Sequence, residues 1–235
     1  MEFQKSVVMK MKILSLLCPL LLVSVSLSAQ DDRAYIKEQI ELWGSCRNVA
    51  LSDQQGNVAL SGYNVYAASG VLSNLSATLK QLSDAGEYID DVQLTEAGRW
   101  LILYGDNGTK WNDIPDGLAE KLMEYNKNKE VITSATFNDR GDWIIVSRNH
   151  YAASNQDIMW LIKDGLSDFG VLWTAQMTED GAVLCFERGY EYHGNVPQVL
   201  KNALSKTTLN AYRVKFLPDG SYFFADEEGH CSYNL

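Results

Sequence analysis

The chain has little histidine and little cysteine, three and four residues respectively, and no run of clustered lysine or arginine. Each scarcity removes a class of function. No Ser-His-Asp order, H-E-x-x-H, phosphate loop or nucleotide fingerprint is present. His150, His193 and His230 lie in separate segments, none with a His or Cys at ligand spacing, so no metal and no cofactor are expected. Nucleic acid is excluded as a partner because its recognition needs clustered basic residues. No apolar stretch beyond residue 25 approaches the about 20 residues of a membrane span.

The first residues read as a targeting segment. "MKMKILSLLCPLLLVSVSLSAQ" places Lys10 and Lys12 before an apolar run from Ile13 to Val25, followed by the small residues Ser26 and Ser28. That layout predicts a secretory signal peptide over residues 1–28 and a mature chain that is secreted or periplasmic. Removing those residues takes away Lys5, Lys10, Lys12 and Glu2 and changes the net charge from −10 to −12. The acidic side chains are scattered, as on a self-repelling soluble surface. Cys46, Cys185 and Cys231 remain, too few for a disulfide-stapled scaffold, and no C-x-x-C suggests zinc or redox chemistry.

What is abundant is self-similarity. Five segments align on a glycine: "NVALSDQQGNVAL", "DVQLTEAGRWLIL", "SATFNDRGDWIIV", "TAQMTEDGAVLCF" and "RVKFLPDGSYFFA". Their glycines, Gly56, Gly98, Gly141, Gly181 and Gly220, are 42, 43, 40 and 39 residues apart. Before each glycine apolar and mostly polar residues alternate, as in Val92 and Leu94 or Ala135 and Phe137, which predicts a half-buried strand. Turn residues ending in Gly follow, then a strand apolar on both faces, such as "RWLILY". The acidic turns lack the ligand offsets of a calcium loop, and turn chemistry accounts for their Asp and Gly. About ten residues past the glycine comes a short third strand bearing an aromatic; the tetrapeptide YAAS occurs there twice. A helix then follows, with Leu72, Leu75, Leu79 and Leu82 at helical spacing in one copy. Ser69 and Ser154, the last letters of YAAS, are expected helix N-caps.

The predicted fold is therefore α+β. It is a single repeat domain over 31–235, with units near 34–68, 69–112, 113–153, 154–193 and 194–235, each a helix plus a three-stranded antiparallel β-meander. The array ends without a helix, and "DRAYIKEQIELWG" supplies a spare one at its start. That complementarity predicts a closed ring; the alternative is an open stack, which would want polar capping repeats. The order of elements is similar to the pentein fold, the five-fold α/β propeller of guanidine-modifying enzymes and certain ribosome-associated factors. The resemblance brings no sequence motif with it, so no active site is carried over.

Two readings of function follow. The first is a non-catalytic scaffold that binds a protein, peptide or glycan. Its candidate residues are the third-strand aromatics Tyr66, Trp111, Tyr151, Tyr192 and Tyr233, one per unit, whose flat faces suit such partners; packing of each on its own helix is the competing role. The second is a pentein-like thiol- or metal-dependent hydrolase with a site near His193, His230 and Cys231. If the ring closes, Cys46 and Cys231 become neighbours, and a disulfide between them would latch it, worth about 3–5 kcal/mol by loop entropy. Cys185 is expected to be a small buried hydrophobe.

Overall fold

The computed structural model describes residues 31–235; the expected signal peptide, 1–28, lies outside the described residues. The chain repeats one plan five times. Helix α1 (31–43) precedes β1 (Asn48–Ala50), β2 (Asn57–Ser61) and β3 (Val65–Ser69). Helix α2 (Ser73–Asp84) precedes β4 (Ile89–Leu94), β5 (Trp100–Tyr104) and β6 (Gly108–Asn112). Helix α3 (Asp116–Lys127) leads to β7 (Ile132–Phe137), β8 (Trp143–Ser147) and β9 (Tyr151–Ala153). Helix α4 (Gln156–Phe169) leads to β10 (Leu172–Met177), β11 (Gly181–Phe186) and β12 (Gly189–Gly194). Helix α5 (Gln198–Lys206) leads to β13 (Arg213–Phe216), β14 (Tyr222–Ala225) and β15 (Cys231–Asn234). Each trio of strands is a separate antiparallel sheet with its middle strand in the centre.

Five apolar clusters join the units, and each holds one helix between two sheets. Leu75, Leu79 and Leu82 of α2 pack with Val58 and Leu60 of the first sheet and Val92 and Ile102 of the second. The same plan recurs around α3, α4 and α5. Helix α1 fills the corresponding place between the ends of the chain: Ile36 and Ile40 pack with Val49 and Ala59 of the first sheet and Phe223 and Ala225 of the fifth. The first strands are in mutual contact as well. β1 lies against β4, β4 against β7, β7 against β10 and β10 against β13, and β13 lies against β1.

The repeat glycines are not all equivalent. In the second, third and fifth units the turn has three residues, with Gly98, Gly141 and Gly220 at φ +82°, +93° and +94°. That left-handed position is the one such a hairpin gives to glycine. In the fourth unit Thr178 N–H donates to Gly181 O at 2.8 Å across a two-residue turn, and Gly181 begins β11. The gapless alignment of that segment is thus displaced by one residue after the turn. Cys185 pairs with Thr174, where Leu103 pairs with the matching Asp91 in the second unit, so its aligned partner is Leu103 and not Ile102.

The YAAS serines are not N-caps. Asn155 caps α4, its side chain accepting from the Asp157 and Ile158 amides, and α2 starts after Leu72 with no side-chain cap. Ser154 instead accepts from Trp143 N–H at 2.9 Å, holding β9 to β8.

Candidate ligand-binding cleft

The first strand of every unit is an edge strand, and each lies against the first strands of other units. An edge presents unpaired N–H and C=O groups, which must find partners if they are buried. Polar side chains from the neighbouring first strand supply them. Ser134 Oγ donates to Ala175 O at 2.8 Å and accepts from Ala175 N–H at 3.2 Å. Thr136 Oγ1 accepts from Met177 N–H at 3.1 Å, and Thr133 Oγ1 donates to Trp173 O at 2.7 Å. Thr174 Oγ1 donates to Tyr212 O. Arg213 Nη1 donates to Thr133 O at 2.6 Å. The alternate polar residues of these strands, predicted to face solvent, are therefore buried. Residues on both faces of these strands, such as Asp91 and Val92 or Ser134 and Ala135, are buried.

At this centre lies a four-charge cluster that joins the second and fifth units. Lys215 Nζ contacts Asp91 Oδ1 at 2.9 Å, and Arg213 Nη2 contacts Asp90 Oδ2 at 2.8 Å. Asn48 and Gln93 also donate to Asp91, at 2.7 and 2.9 Å. Burial opposes ionisation of Asp91, but Lys215 and Arg213 outweigh it and hold the carboxyl below its usual range. Burial likewise opposes the charge on Arg213, yet Asp90 and Asp91 raise its pKa further. Lys215 is drawn downward by burial despite Asp91.

The bundle of first strands has two unlike ends. At the turn end Leu51, Leu94, Phe137, Met177 and Phe216, one from each unit, surround a cavity of only about 60 Å³. Carboxylates tie the turns together above it: Glu96 accepts from Asp53 N–H at 2.9 Å and Asp139 from Ala97 N–H at 3.0 Å. Arg33 of α1 bridges Asp53 and Asp219, the turns of the first and fifth units. The acidic turns thus have a structural use that needs no calcium.

The other end opens into a cleft of about 950 Å³ lined from units two to five. Asp90, Thr133 and Trp173 of β4, β7 and β10 and Tyr212 just before β13 form its inner wall, each eight residues before the repeat glycine. Trp173 and Tyr212 have ring centroids 6.1 Å apart and planes 43° apart, and the Arg213 guanidinium sits 5.0 Å from the Tyr212 centroid. Tyr88 is fixed by Arg47, which lies 4.4 Å from its ring and donates to its hydroxyl at 2.7 Å. Burial raises the pKa of both tyrosines, so their hydroxyls stay protonated and can donate.

No protein-family model, curated protein or solved structure matches the chain.

The residues singled out by sequence are placed elsewhere. The third-strand aromatics lie on the strands farthest from the centre. Tyr66, Tyr151, Tyr192 and Tyr233 each pack against a different core cluster, and Trp111 is the exposed one. Each pairs with a central-strand residue of the cluster around the next helix, Leu60, Leu101, Val146, Val183 and Phe223 in turn, so they share the face of the sheet that packs on that helix. His193 pairs with Ala182 on the fourth sheet, while His230 Nδ1 sits 2.8 Å from Asp226 in the fifth. Cys231 packs against the cluster around α1, and burial raises its pKa. That is the reverse of what a thiolate nucleophile needs. Cys46 and Cys231 are both free thiols, but they share that cluster, and the Cys46 backbone amide donates to Gly229 O at 2.9 Å, two residues before Cys231. Burial pushes the Cys46 thiol up to about 12, and Cys185 is likewise buried and raised to about 12. Among the described residues, Asp226, Glu228 and His230 could together offer a metal three ligand atoms, but two of them are exposed and nothing else there points to an ion.

The cleft residues escaped the sequence reading because they do not repeat. Aligning the positions eight before the glycine gives Asp90, Thr133, Trp173 and Tyr212, four chemistries at one structural place. That divergence inside an otherwise regular strand was the available signal.

Proposed function

We propose that the protein is an exported, non-catalytic binding scaffold whose five units close into a ring and whose ligand occupies the cleft at the open end. The observation that carries the binding reading is that cleft: about 950 Å³, with an inner wall drawn from four units and differing at each. Its volume falls in the upper part of the about 300–1,000 Å³ range of ligand pockets. Its wall carries fixed aromatic rings beside a few polar groups, the composition that such sites share. Ring closure is supported by α1 lying between the first and fifth sheets and by the contact of β13 with β1.

The binding reading is tested by a thermal-shift screen of the mature protein against peptide and saccharide libraries, repeated with Val171→Trp. Val171 lines the cleft and is 51% exposed, so a tryptophan there fills the cleft without entering the core. Hits should vanish in that variant; hits that survive put the ligand elsewhere. Closure is tested by mild oxidation and peptide mapping under non-reducing conditions. A Cys46–Cys231 linkage is expected, with a stability gain of about 3–5 kcal/mol. Mapping that finds both thiols unlinked after oxidation counts against the latch.

A further inference from the structure

We infer that the cleft's ligand is a neutral oligosaccharide, with sugar faces laid on Trp173 and Tyr212. This rests on the reading of the cleft as a binding site and adds the chemical class. Three observations lead there. The first is charge. The chain carries a net charge of −10, so its field disfavours a polyanion. Asp106 and Glu227 at the cleft are matched in number by Lys129 and Arg148. Asp90, the acid of the inner wall, already holds the buried Arg213. A cationic peptide would meet Asp90 only beside the Arg213 charge that already neutralises it, and an anionic ligand would meet no cation among the four inner-wall residues.

The second observation is the aromatic surface. Tyr88, Tyr104, Trp173 and Tyr212 all line the cleft and none is fully buried. Tyr88 and Tyr212 are held in place by arginines before any ligand arrives. Rings fixed in advance lose little entropy on binding. Such rings suit a ligand with flat apolar C–H faces and no charge. The third is the supply of hydrogen-bonding groups beside those rings. Asp90 uses Oδ2 for Arg213, and its Oδ1 has no hydrogen-bond partner among the described residues. Thr133 Oγ1 and Asn126 sit on the same lining. Sugar hydroxyls both donate and accept, and they match a wall that mixes acceptors with tyrosine donors. The volume suits several linked rings better than one.

The test is isothermal titration of the mature protein with maltohexaose, cellohexaose, laminarihexaose, mannohexaose, xylohexaose and chitohexaose. At least one should bind and change tryptophan fluorescence. Trp173→Ala and Tyr212→Leu should each weaken that binding at least about ten-fold, as loss of an anchoring ring does. Trp173→Phe keeps a flat ring and guards against misfolding: it should keep binding within a few-fold while abolishing the fluorescence change. If none of the six sugars binds and a peptide does so in a Trp173-sensitive way, the saccharide inference falls while the cleft reading stands. If sugar and peptide ligands alike ignore Trp173, Tyr212 and Val171→Trp, both fall.

Discussion

The two ends of the central strand bundle are built from the same five strands and could hardly differ more. At the turn end the repeat is obeyed: Leu51, Leu94, Phe137, Met177 and Phe216 are all apolar, and they close around about 60 Å³. At the opposite end the repeat is abandoned, and Asp90, Thr133, Trp173 and Tyr212 border about 950 Å³. In a repeat protein, positions that recur serve the contact each unit makes with the next. Positions that diverge while their backbones stay equivalent are not held to one shared contact, and a ligand site can be built there. The middle of the bundle follows neither pattern. It is polar because five sheet edges meet there and their backbone groups must be satisfied.

The strongest test of that division is to break the middle. Asp91→Ala would leave Lys215 buried without its partner and Arg213 with one carboxylate fewer. Removing one partner of such a buried set costs about 3–5 kcal/mol. Urea denaturation should show that loss, and Lys215→Met in the same chain should recover part of it. A loss under about 1 kcal/mol would mean the centre is not holding the second and fifth units together. Acid gives the same test without mutation. The Asp91 carboxyl is depressed in the folded state, so its contribution is present above the ordinary carboxylate range and is lost as pH falls below about 4 through the folded value. Stability measured against pH should fall in that window more steeply in the native chain than in Asp91→Asn.

At the sealed end, Met177→Ala should cost about 2–5 kcal/mol, because the deleted side chain is buried and its neighbours from four other units cannot all collapse into the space. Ligand binding at the distant cleft should be unchanged in the fraction that is folded. Ser134→Ala is the intermediate case. It strips Ala175 of the hydroxyl that serves both its N–H and its C=O, and an unmet buried group costs about 1–3 kcal/mol. Equilibrium unfolding would read both, and a neutral Ser134→Ala would show that the hydroxyl is not what satisfies the β10 edge.

Much of this plan was legible in the residues. The helix face carrying Leu75, Leu79 and Leu82 came directly from 3.6-residue spacing, and the three-strand units from glycine turns and alternation. What the sequence hid were consequences of assembly. Asp91 and Gln93 look like solvent-facing residues of a half-buried strand because alternation cannot tell water from a neighbouring sheet edge. The displaced Gly181 turn escaped because a two-residue and a three-residue hairpin can share the same letters, and only the strand register tells them apart. The third-strand aromatics drew attention because they recur, and recurrence proved to mark packing: Tyr66, Tyr151, Tyr192 and Tyr233 each rest on a core cluster.

The smallest expected effect tests the open end most directly. Arg148 lines the cleft, is exposed, and bonds the rest of the fold through its backbone amide to Val131 O at 3.1 Å. Its side chain has no hydrogen-bond partner among the described residues, so Arg148→Ala should leave stability within about 0.5 kcal/mol of the native chain. The sealed end permits no such change, since Leu51, Phe137, Met177 and Phe216 there are all buried. If chemical denaturation found Arg148→Ala costing more than about 1.5 kcal/mol, the cleft wall would be structural. The contrast between the two ends would then be one of shape only, and divergence within a repeat would lose its value as a sign of where a ligand sits.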